Sequence, residues 1–560
     1  MSDEASSLRR HSSLVAAGIG LSRLSGLVRD AVLAFFLGAN VGADAFRAAL
    51  KIPNLLQNLL GEGVLSASFI PSYSRLVHEG REREAAHLAG AVLGLLLVVA
   101  GALTLTGVLA ARPLTRLLTP GFVGERFELT VLLVRIMFPG IGVLVISAWC
   151  LGVLNSHRRF FLSYVAPVLW NTGILASLIG LGATAVLDPA LAAGVGVVLG
   201  GLLQTAVQVP AVRRLLGGRI RLSLDTTSAH VRRVLAAFWP IVLGRGVVQV
   251  AALLDLVVAS LLAVGAVAVL GYAQTLYLLP IALFGMSVAA AELPELSRLD
   301  ERGHEALTRR LDAGLARGSF FVVGTTAGFW VLGGSLVALL YGRGEFDRAT
   351  VVQVGAVVVV YSFALVPSTA SRLLQSVLYA GGDARTPAVI AALRVTMSLS
   401  IGLPLMLLFD QLVVDLSRPA NFRTADDVEQ IALRLVDPAL REATTNQLRL
   451  GAIGLAMGAV AGSVLEYLLL RWRLRRRGFR VRLGGGTLGR LMVAGLLAVF
   501  VMRRVVPQVQ GALVDVVVPG VVGGLTYLGV CVVLRVPEAR ALVDGVTRRR
   551  RRGPRTPEEP

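Results

Sequence analysis

Cysteine is nearly absent from this 560-residue sequence. Cys150 and Cys531 are the only two, and each lies inside an apolar block far from the other, so neither a disulfide framework nor a thiolate metal site is expected. The six histidines lie in connecting segments, tails or block ends and never show the HExxH spacing of zinc enzymes. A complete phosphate loop and a G-x-S-x-G motif are also missing, which disfavours an ATPase and a serine hydrolase. We therefore expect no metal and no cofactor.

Charge is scarce as well. Only 16% of the residues are charged, whereas 55% are hydrophobic and are grouped in long blocks, which is typical of a membrane protein. The formal net charge of +20 does not indicate nucleic-acid binding, because most arginines lie in short loops between apolar blocks. Arg23, Arg29 and Asp30 interrupt the first block, so a cleavable signal peptide is not expected.

The apolar blocks predict an all-α polytopic membrane protein with about 14 transmembrane helices, because about 20 apolar residues are needed to cross a bilayer. Most dense arginine clusters fall in every second loop, which predicts a cell (inner) membrane protein with both termini in the cytoplasm. The blocks are 12–37, 45–72, 85–112, 128–154, 161–184, 188–210, 236–264, 268–294, 316–341, 350–379, 387–410, 449–472, 487–505 and 513–535.

A weak internal repeat suggests two lobes of six helices around a central cavity. The second block contains Pro53 and ends at Phe69-Ile70-Pro71, and the eighth contains Pro280 and ends at Glu292-Leu293-Pro294; transporters often contain such repeats. The domains expected are an N-terminal lobe at 12–212, a C-terminal lobe at 232–472 with an extracytoplasmic loop at about 410–447, two further helices at 487–535 and a basic cytoplasmic tail at 536–560.

Several ionisable residues lie inside the predicted spans, where each costs about 2.5–3.5 kcal/mol if it faces lipid. Asp44, Arg47 and Lys51 follow i, i+3, i+7 spacing, so they share one helical face and predict a polar stripe along a cavity. Lys51 is the only lysine in the chain. The excess of cations favours binding of an anion, although charges that pair with each other or extend to headgroups would be purely structural. The ionisable residues of the spans are Arg23, Arg29, Asp30, Asp44, Arg47, Lys51, Glu62, Arg245, Asp255, Arg372 and Arg394.

Four segments near the N-terminus form a recognisable set of motifs: Ser22-Arg23-Leu24-Ser25-Gly26-Leu27-Val28-Arg29-Asp30-Ala31, Asp44-Ala45-Phe46, Lys51-Ile52-Pro53-Asn54-Leu55-Leu56 and Glu62-Gly63. Through these segments the first two blocks resemble the MurJ (MviN) family, whose members flip lipid II, the peptidoglycan precursor. The resemblance extends over about residues 12–535. Weaker matches follow, among them Ala166-Pro167 with Asn171 and Asp383 with Thr386-Pro387.

The resemblance implies a fold of the multidrug/oligosaccharidyl-lipid/polysaccharide exporter superfamily, in which the two extra helices form a groove for a lipid tail. Arg23 and Arg29 match cavity arginines needed for transport, and Asp30 and Asp44 match acids that organise them. Two family arginines are missing, since Gln57 and Thr275 occupy their positions. Arg47, Arg245 or Arg394 could restore the positive charge. The substrate contacts expected are Arg23, Arg29, Asp30, Asp44, Arg47, Lys51, Asn54, Gln57 and Glu62.

The resemblance also suggests that a bound ion could drive transport. Asp255 matches a carboxylate of a sodium site found in some relatives, but the eleventh block offers Arg394 instead of acids. An ion pair between Asp255 and Arg394 is therefore a further hypothesis, and Arg245, Asp255, Thr275 and Arg394 are the candidate cavity or coupling residues.

The resulting functional hypothesis is a flippase, not an enzyme. It would move the undecaprenyl-pyrophosphate-linked disaccharide-peptide (lipid II) outward by alternating access during cell wall biogenesis. Membrane lipids and peptidoglycan synthases are the other partners considered, and no nucleic acid is expected. Three alternatives remain: a flippase for another lipid-linked glycan, a polytopic glycosyltransferase that would use carboxylates of the 410–447 loop, and a scaffold for wall synthesis.

Overall fold

The structure is a computed structural model, and the residues it describes are almost all helical. They are residues 2–218, 220–286, 304–383, 385–415, 432–435, 448–479, 485–506 and 511–551. The helices are α1 (Ser2–Leu37), α2 (Val41–Leu60), α3 (Glu62–His78), α4 (Glu82–Leu109), α5 (Ala111–Leu118), α6 (Gly124–Ser156), α7 (Phe160–Ser177), α8 (Pro189–Leu215), α9 (Ala229–Ser260), α10 (Ala266–Pro280), α11 (His304–Tyr341), α12 (Arg348–Ser362), α13 (Leu365–Ala380), α14 (Arg385–Asp410), α15 (Gly451–Arg476), α16 (Gly485–Val505), α17 (Val514–Val533) and α18 (Pro537–Arg551). The π-helical turns Leu178–Gly182 and Ile281–Met286 extend α7 and α10.

The predicted all-α membrane architecture is confirmed, but the count of 14 spans stays a prediction. Among the described residues, nine helices are long and apolar enough to cross a bilayer, and the pair α12 and α13, bent by 47°, would make a tenth. The expected blocks at 12–37, 45–72, 236–264 and 487–505 are helical but are not among these.

The second expected block is two helices and not one. α2 ends at Leu60 and α3 begins at Glu62, with Gly61 between them in an extended conformation. A Cβ atom at Gly61 would lie 2.0 Å from the carbonyl oxygen of Gln57, so only glycine fits at this break. The interruption lies directly after the segment that carries Lys51 and Asn54.

The chain forms two compact units. Unit 1 contains Met1–Ala268 and Arg343–Asp347. In it α6 packs against α2, α3, α4 and α8, and α7 packs against α1 and α8. Small residues bring two of these pairs into backbone contact, since a Cβ atom at Gly173 would lie 2.4 Å from Gly200, and one at Gly140 would lie 2.8 Å from the Cα atom of Val198. The buried core includes Leu133, Val134, Met137 and Ile141 of α6.

Unit 2 contains Val269–Gly342 and Arg348–Pro560. Its most extensive helix contact joins α14 and α15, while α16 and α17 pack on each other and on α11. The Tyr527 hydroxyl of α17 donates a 2.7 Å hydrogen bond to the Phe320 carbonyl of α11. These two C-terminal helices are therefore fixed to unit 2 by a buried polar contact as well as by apolar packing.

The predicted division into lobes at 212 and 232 stays a prediction. We expected the seventh block in the second lobe, yet the corresponding helix α9 packs on α2, α3 and α5 and belongs to unit 1. The predicted loop at 410–447 contributes two strands to a small antiparallel sheet, β1 (Leu412–Asp415) between β2 (Ala432–Leu435) and β3 (Leu448–Arg449). Residues 416–431 and 436–447, with most acids of this loop, lie outside the described residues.

Candidate functional site

The candidate site lies in unit 1 and begins with Arg29 of α1. Its Nε and Nη2 atoms donate hydrogen bonds of 3.0 and 2.8 Å to Oδ1 of Asp30, and Nη1 donates one of 3.0 Å to Oδ1 of Asn171 in α7. The guanidinium also lies 5.4 Å from the ring centre of Trp170, within cation–π range. A guanidinium has five N–H groups, so these three bonds leave two that can bind an anion.

Asn171 is itself fixed in position. Its Nδ2 donates a 2.8 Å hydrogen bond to the Ser25 hydroxyl, which donates to the Ser22 carbonyl at 2.9 Å. The orientation of the Asn171 side-chain amide is consistent with these hydrogen bonds, because its nitrogen donates to Ser25 and its oxygen accepts from Arg29. The Arg29 side chain is 19% exposed and that of Asp30 only 4%. Arg29 is therefore held rigidly, with one side accessible, whereas Arg23 one and a half turns earlier is exposed.

Asp44 does not line the stripe that the sequence predicted. It is fully buried, and its Oδ2 accepts hydrogen bonds from Nη1 of Arg126 at 3.2 Å and from the Gly265 amide at 2.7 Å, while Oδ1 accepts one from the Ala268 amide at 2.8 Å. The carboxylate thus ties α2 to α6 and to the start of α10. Its partner is Arg126 and not Arg29, so we assign Asp44 a structural role.

Lys51 and Arg47 are the partly buried cations of the same face. Lys51 lies within electrostatic range of Asp255 in α9 as well as of Arg47. One turn beyond, the Oδ1 atom of Asn54 is buried without a hydrogen-bond partner among the described residues, an arrangement that is costly unless a ligand or water satisfies it. Farther along α2, Asn58 donates a 3.1 Å bond to Gln249 of α9.

Positive charge exceeds negative charge around these helices. Asp44 is compensated by Arg126 of α6. The other charged side chains within residues 18–60 and 246–260 are four cations, Arg23, Arg29, Arg47 and Lys51, and two carboxylates, Asp30 and Asp255. Such an excess in an apolar protein favours an anionic ligand.

The other expected residues have separate surroundings. Gln57 is partly buried on α2, the Thr275 hydroxyl in unit 2 donates to the Gly271 carbonyl of its own helix at 3.1 Å, and Arg372 is exposed. Glu62 begins α3 and Arg245 lies in α9, but their side chains are outside the described part of the chain. Compensation by Arg245 for the missing family arginines therefore stays a prediction.

Arg394 has a partner that the sequence analysis did not consider. Its Nη1 lies 3.3 Å from Oε2 of Glu466 in α15, and the other oxygen of Glu466 accepts a 2.8 Å bond from Gln375. Glu466 is nearly buried, with 5% side-chain exposure. The expected pair of Arg394 with Asp255 is therefore replaced by an ion pair inside unit 2.

A sodium ion at Asp255 stays a prediction, and the nearby charge argues against it. Lys51 already supplies a positive charge in its vicinity, and a second cation would be repelled. Among the described residues, no group of three His, Cys, Asp or Glu side chains could hold a metal. We derive no transport step through sodium.

Four contributing residues were missed as site residues: Trp170, Asn171, Arg126 and Glu466. Glu466 had a visible signal, since it is the only acid in its apolar block. Asn171 belonged to a motif of the resemblance but could not be linked to Arg29 over 142 residues of sequence. Arg126 lies at the polar start of α6, where an arginine predicts nothing specific.

Comparison with known proteins identifies the family. The family model described as "Lipid II flippase MurJ" matches residues 33–419. The chain belongs to the MurJ family. The "Probable lipid II flippase MurJ" of Rhizobium tropici is 29% identical over 504 residues, 87% of this chain and 92% of that protein. The "Lipid II flippase MurJ" of Burkholderia cenocepacia is 32% identical over 379 residues, 66% and 73% of the two chains.

Solved structures agree on the fold. A MurJ structure described as "inward closed conformation" matches with a TM-score of 0.73 and 20% identity, and the match covers 95% of this chain and 99% of the other. An inward-facing MATE transporter of the MOP superfamily matches with a TM-score of 0.60 and 16% identity, covering 82% and 95%. This MurJ family member is thus a multi-pass membrane protein of the transporter class that the sequence predicted.

Proposed function

We propose that this protein flips lipid II, the lipid-linked peptidoglycan precursor, from the cytoplasmic to the outer leaflet. The relatives that cover most of the chain bear the name of this activity. The site also suits the physical problem of moving such a lipid. A pyrophosphate-linked sugar cannot lose its hydration in hydrocarbon, whereas its polyprenyl tail can stay there. Movement of the headgroup therefore needs a polar path inside the protein.

The observation that carries this proposal is the geometry of Arg29. Asp30, Asn171 and Trp170 hold its guanidinium in one orientation and leave two N–H groups for an incoming oxyanion. Two parallel N–H donors match phosphate oxygens well, and charge-assisted bonds of this kind are about twice as strong as neutral ones. Arg23, Arg47 and Lys51 would add electrostatic attraction for the pyrophosphate. The side-chain oxygen of Asn54 would accept a hydrogen bond from a sugar hydroxyl or a water.

The transport cycle proposed is alternating access. The headgroup binds the cationic side chains from the cytoplasmic side, the two units rock, and the headgroup is released outside. With both termini in the cytoplasm, a negative interior would favour return of the empty, positively charged site, by about 2.3 kcal/mol per charge per 100 mV. Flipping in liposomes that does not respond to an imposed potential would contradict this coupling.

The decisive experiment is rescue of a strain depleted of its own lipid II flippase. Wild type should restore growth, Arg29→Ala should fail, and Arg23→Ala should be impaired at equal membrane levels. Arg135→Ala is a matched control, because Arg135 is an exposed arginine of unit 1. Full growth with Arg29→Ala would refute the role of Arg29 and favour a scaffold without transport activity.

A second candidate is a flippase for another polyprenyl-pyrophosphate-linked glycan. It is favoured by Gln57 and Thr275, which stand where the family usually has arginines. Failure of the wild-type chain to rescue, combined with flipping of a different lipid-linked glycan in liposomes, would select it. Under the first proposal, peptidoglycan synthases that consume lipid II outside are the partners we expect.

A further inference from the structure

A groove of about 400 Å³ lies between the first turns of α14 and the last turns of α15 in unit 2. Its wall is apolar and accessible: Val389 is 52% exposed, Leu393 47% and Trp472 48%, and Leu469 completes the lining. Arg385 and Arg473 border the same groove. The groove therefore combines an apolar surface, which suits an acyl chain, with two cations at one end.

The sequence of α15 explains why the groove opens at this end. Gly454, Gly458 and Gly462 recur every four residues and bring α15 into contact with the backbone of α14 as far as Arg394. The next positions of this stripe, Glu466 and Leu470, carry large side chains. The helices must separate where the glycines end, and the space between them becomes the groove.

The two arginines are available to a ligand. The neighbouring acid, Asp383, is already engaged, because it accepts hydrogen bonds from Thr386 and Arg477. The Nε atom of Arg473 is buried without a hydrogen-bond partner among the described residues, and no acidic side chain forms an ion pair with Arg385 in the same part of the chain. A buried donor of this kind is costly unless something outside the protein satisfies it.

We propose that this groove binds one anionic phospholipid of the surrounding membrane. Its phosphate binds Arg385 and Arg473, and an acyl chain lies along Val389, Leu393 and Leu469. Trp472 marks the interface level, where tryptophan is enriched. The volume falls within the range of about 300–1,000 Å³ for small-molecule sites, and basic pockets between transmembrane helices commonly hold acidic headgroups. This site is separate from the cationic cluster of unit 1 and does not depend on the proposed transport.

The test uses the full-length protein in detergent, titrated with phosphatidylglycerol or phosphatidylcholine and observed by native mass spectrometry. We expect one retained phosphatidylglycerol, with a Kd at least about tenfold below that of phosphatidylcholine, and a loss of about fivefold for each of Arg385→Gln and Arg473→Gln. Leu393→Trp, which fills the groove and keeps the charge, should also abolish the preference. The charge-matched control is Arg475→Gln with Arg540→Gln, since neither residue lines the groove.

A second measurement locates the lipid. Brominated phosphatidylglycerol should quench tryptophan fluorescence more than brominated phosphatidylcholine does, and Trp472→Phe should remove this difference. Equal losses in the groove and control variants would reduce the effect to surface charge and overturn the proposal. Displacement by an equal concentration of a polyprenyl pyrophosphate would also overturn it, because the groove would then be a substrate site.

Discussion

Asp44 of α2 and Arg126 of α6 form a buried ion pair 82 residues apart in sequence, with 3.2 Å between the nearest nitrogen and oxygen. The Gly265 and Ala268 amides complete the coordination of the carboxylate. This arrangement separates the two acids of the first two helices, Asp30 of α1 and Asp44 of α2, by role. Asp44 stabilises unit 1, and Asp30 positions the arginine that we assign to the substrate.

Asp44→Asn should therefore destabilise the protein. An amide would leave Arg126 charged and buried without its partner and would turn an N–H group towards backbone donors. Breaking a buried pair from one side costs about 3–5 kcal/mol. The measurement is the free energy of unfolding in mixed micelles. Glu128→Gln, which breaks the exposed pair with Arg112, is the control and should cost less than about 1 kcal/mol; equal stability of Asp44→Asn and wild type would contradict the structural role.

Asn171→Leu should impair transport and leave the fold intact. The substitution removes the acceptor of the Arg29 Nη1 bond, so the guanidinium keeps only Asp30 as a hydrogen-bond partner and loses its orientation. A hydrogen bond to a charged group contributes about 1.5–3 kcal/mol, so we expect at least a tenfold lower flipping rate at low substrate concentration. Thr172→Val is the control, because the Thr172 hydroxyl bonds only to Val168 of its own helix. An unchanged rate in Asn171→Leu would exclude a positioning role.

Lys51 and Asp255 should show energetic coupling. Lys51→Met removes a cation near Asp255, and Asp255→Asn removes an anion near Lys51, so each single substitution leaves an excess charge. The double variant should be more stable than the sum of the single effects predicts, by about 0.5–3 kcal/mol. Thermal unfolding of the four proteins of this cycle measures the coupling. Strict additivity would show that the two side chains act independently.

Asp383 should make stability depend on acid pH. Hydrogen bonds from the Thr386 side chain and amide, together with Arg477, lower the pKa of Asp383 from 3.8 to about 2. Because the pKa in the folded state is the lower one, the stabilisation is complete above about pH 4 and is lost as the pH falls towards 2. The melting temperatures of wild type and Asp383→Asn should thus differ at pH 6 and converge near pH 2.

The Thr386→Val variant tests the cause of that shift. It removes the first of the hydrogen bonds that lower the pKa of Asp383, so the acid transition should move to higher pH than in wild type. A transition that stays at the same pH would assign the shift to the Thr386 amide and Arg477 instead.

The sequence by itself determined the class of protein, the all-α architecture and the identity of most charged residues in the spans. Long apolar blocks are sufficient for this, because a backbone inside hydrocarbon must satisfy all its hydrogen bonds internally and a helix does so. The motifs around Arg23 and Arg29 indicate the family. The sequence also placed Arg29 beside Asp30, which is a neighbour in the chain.

Only the tertiary structure decided which charge meets which. Asp44 pairs with Arg126, and Arg394 pairs with Glu466, 72 residues away, because the packing of helices distant in sequence brings these side chains together. The break at Gly61 and the groove beside Trp472 also depend on close backbone approaches. Hydropathy describes each helix alone, whereas the partner of a buried charge is a property of two helices and of the angle at which they pack.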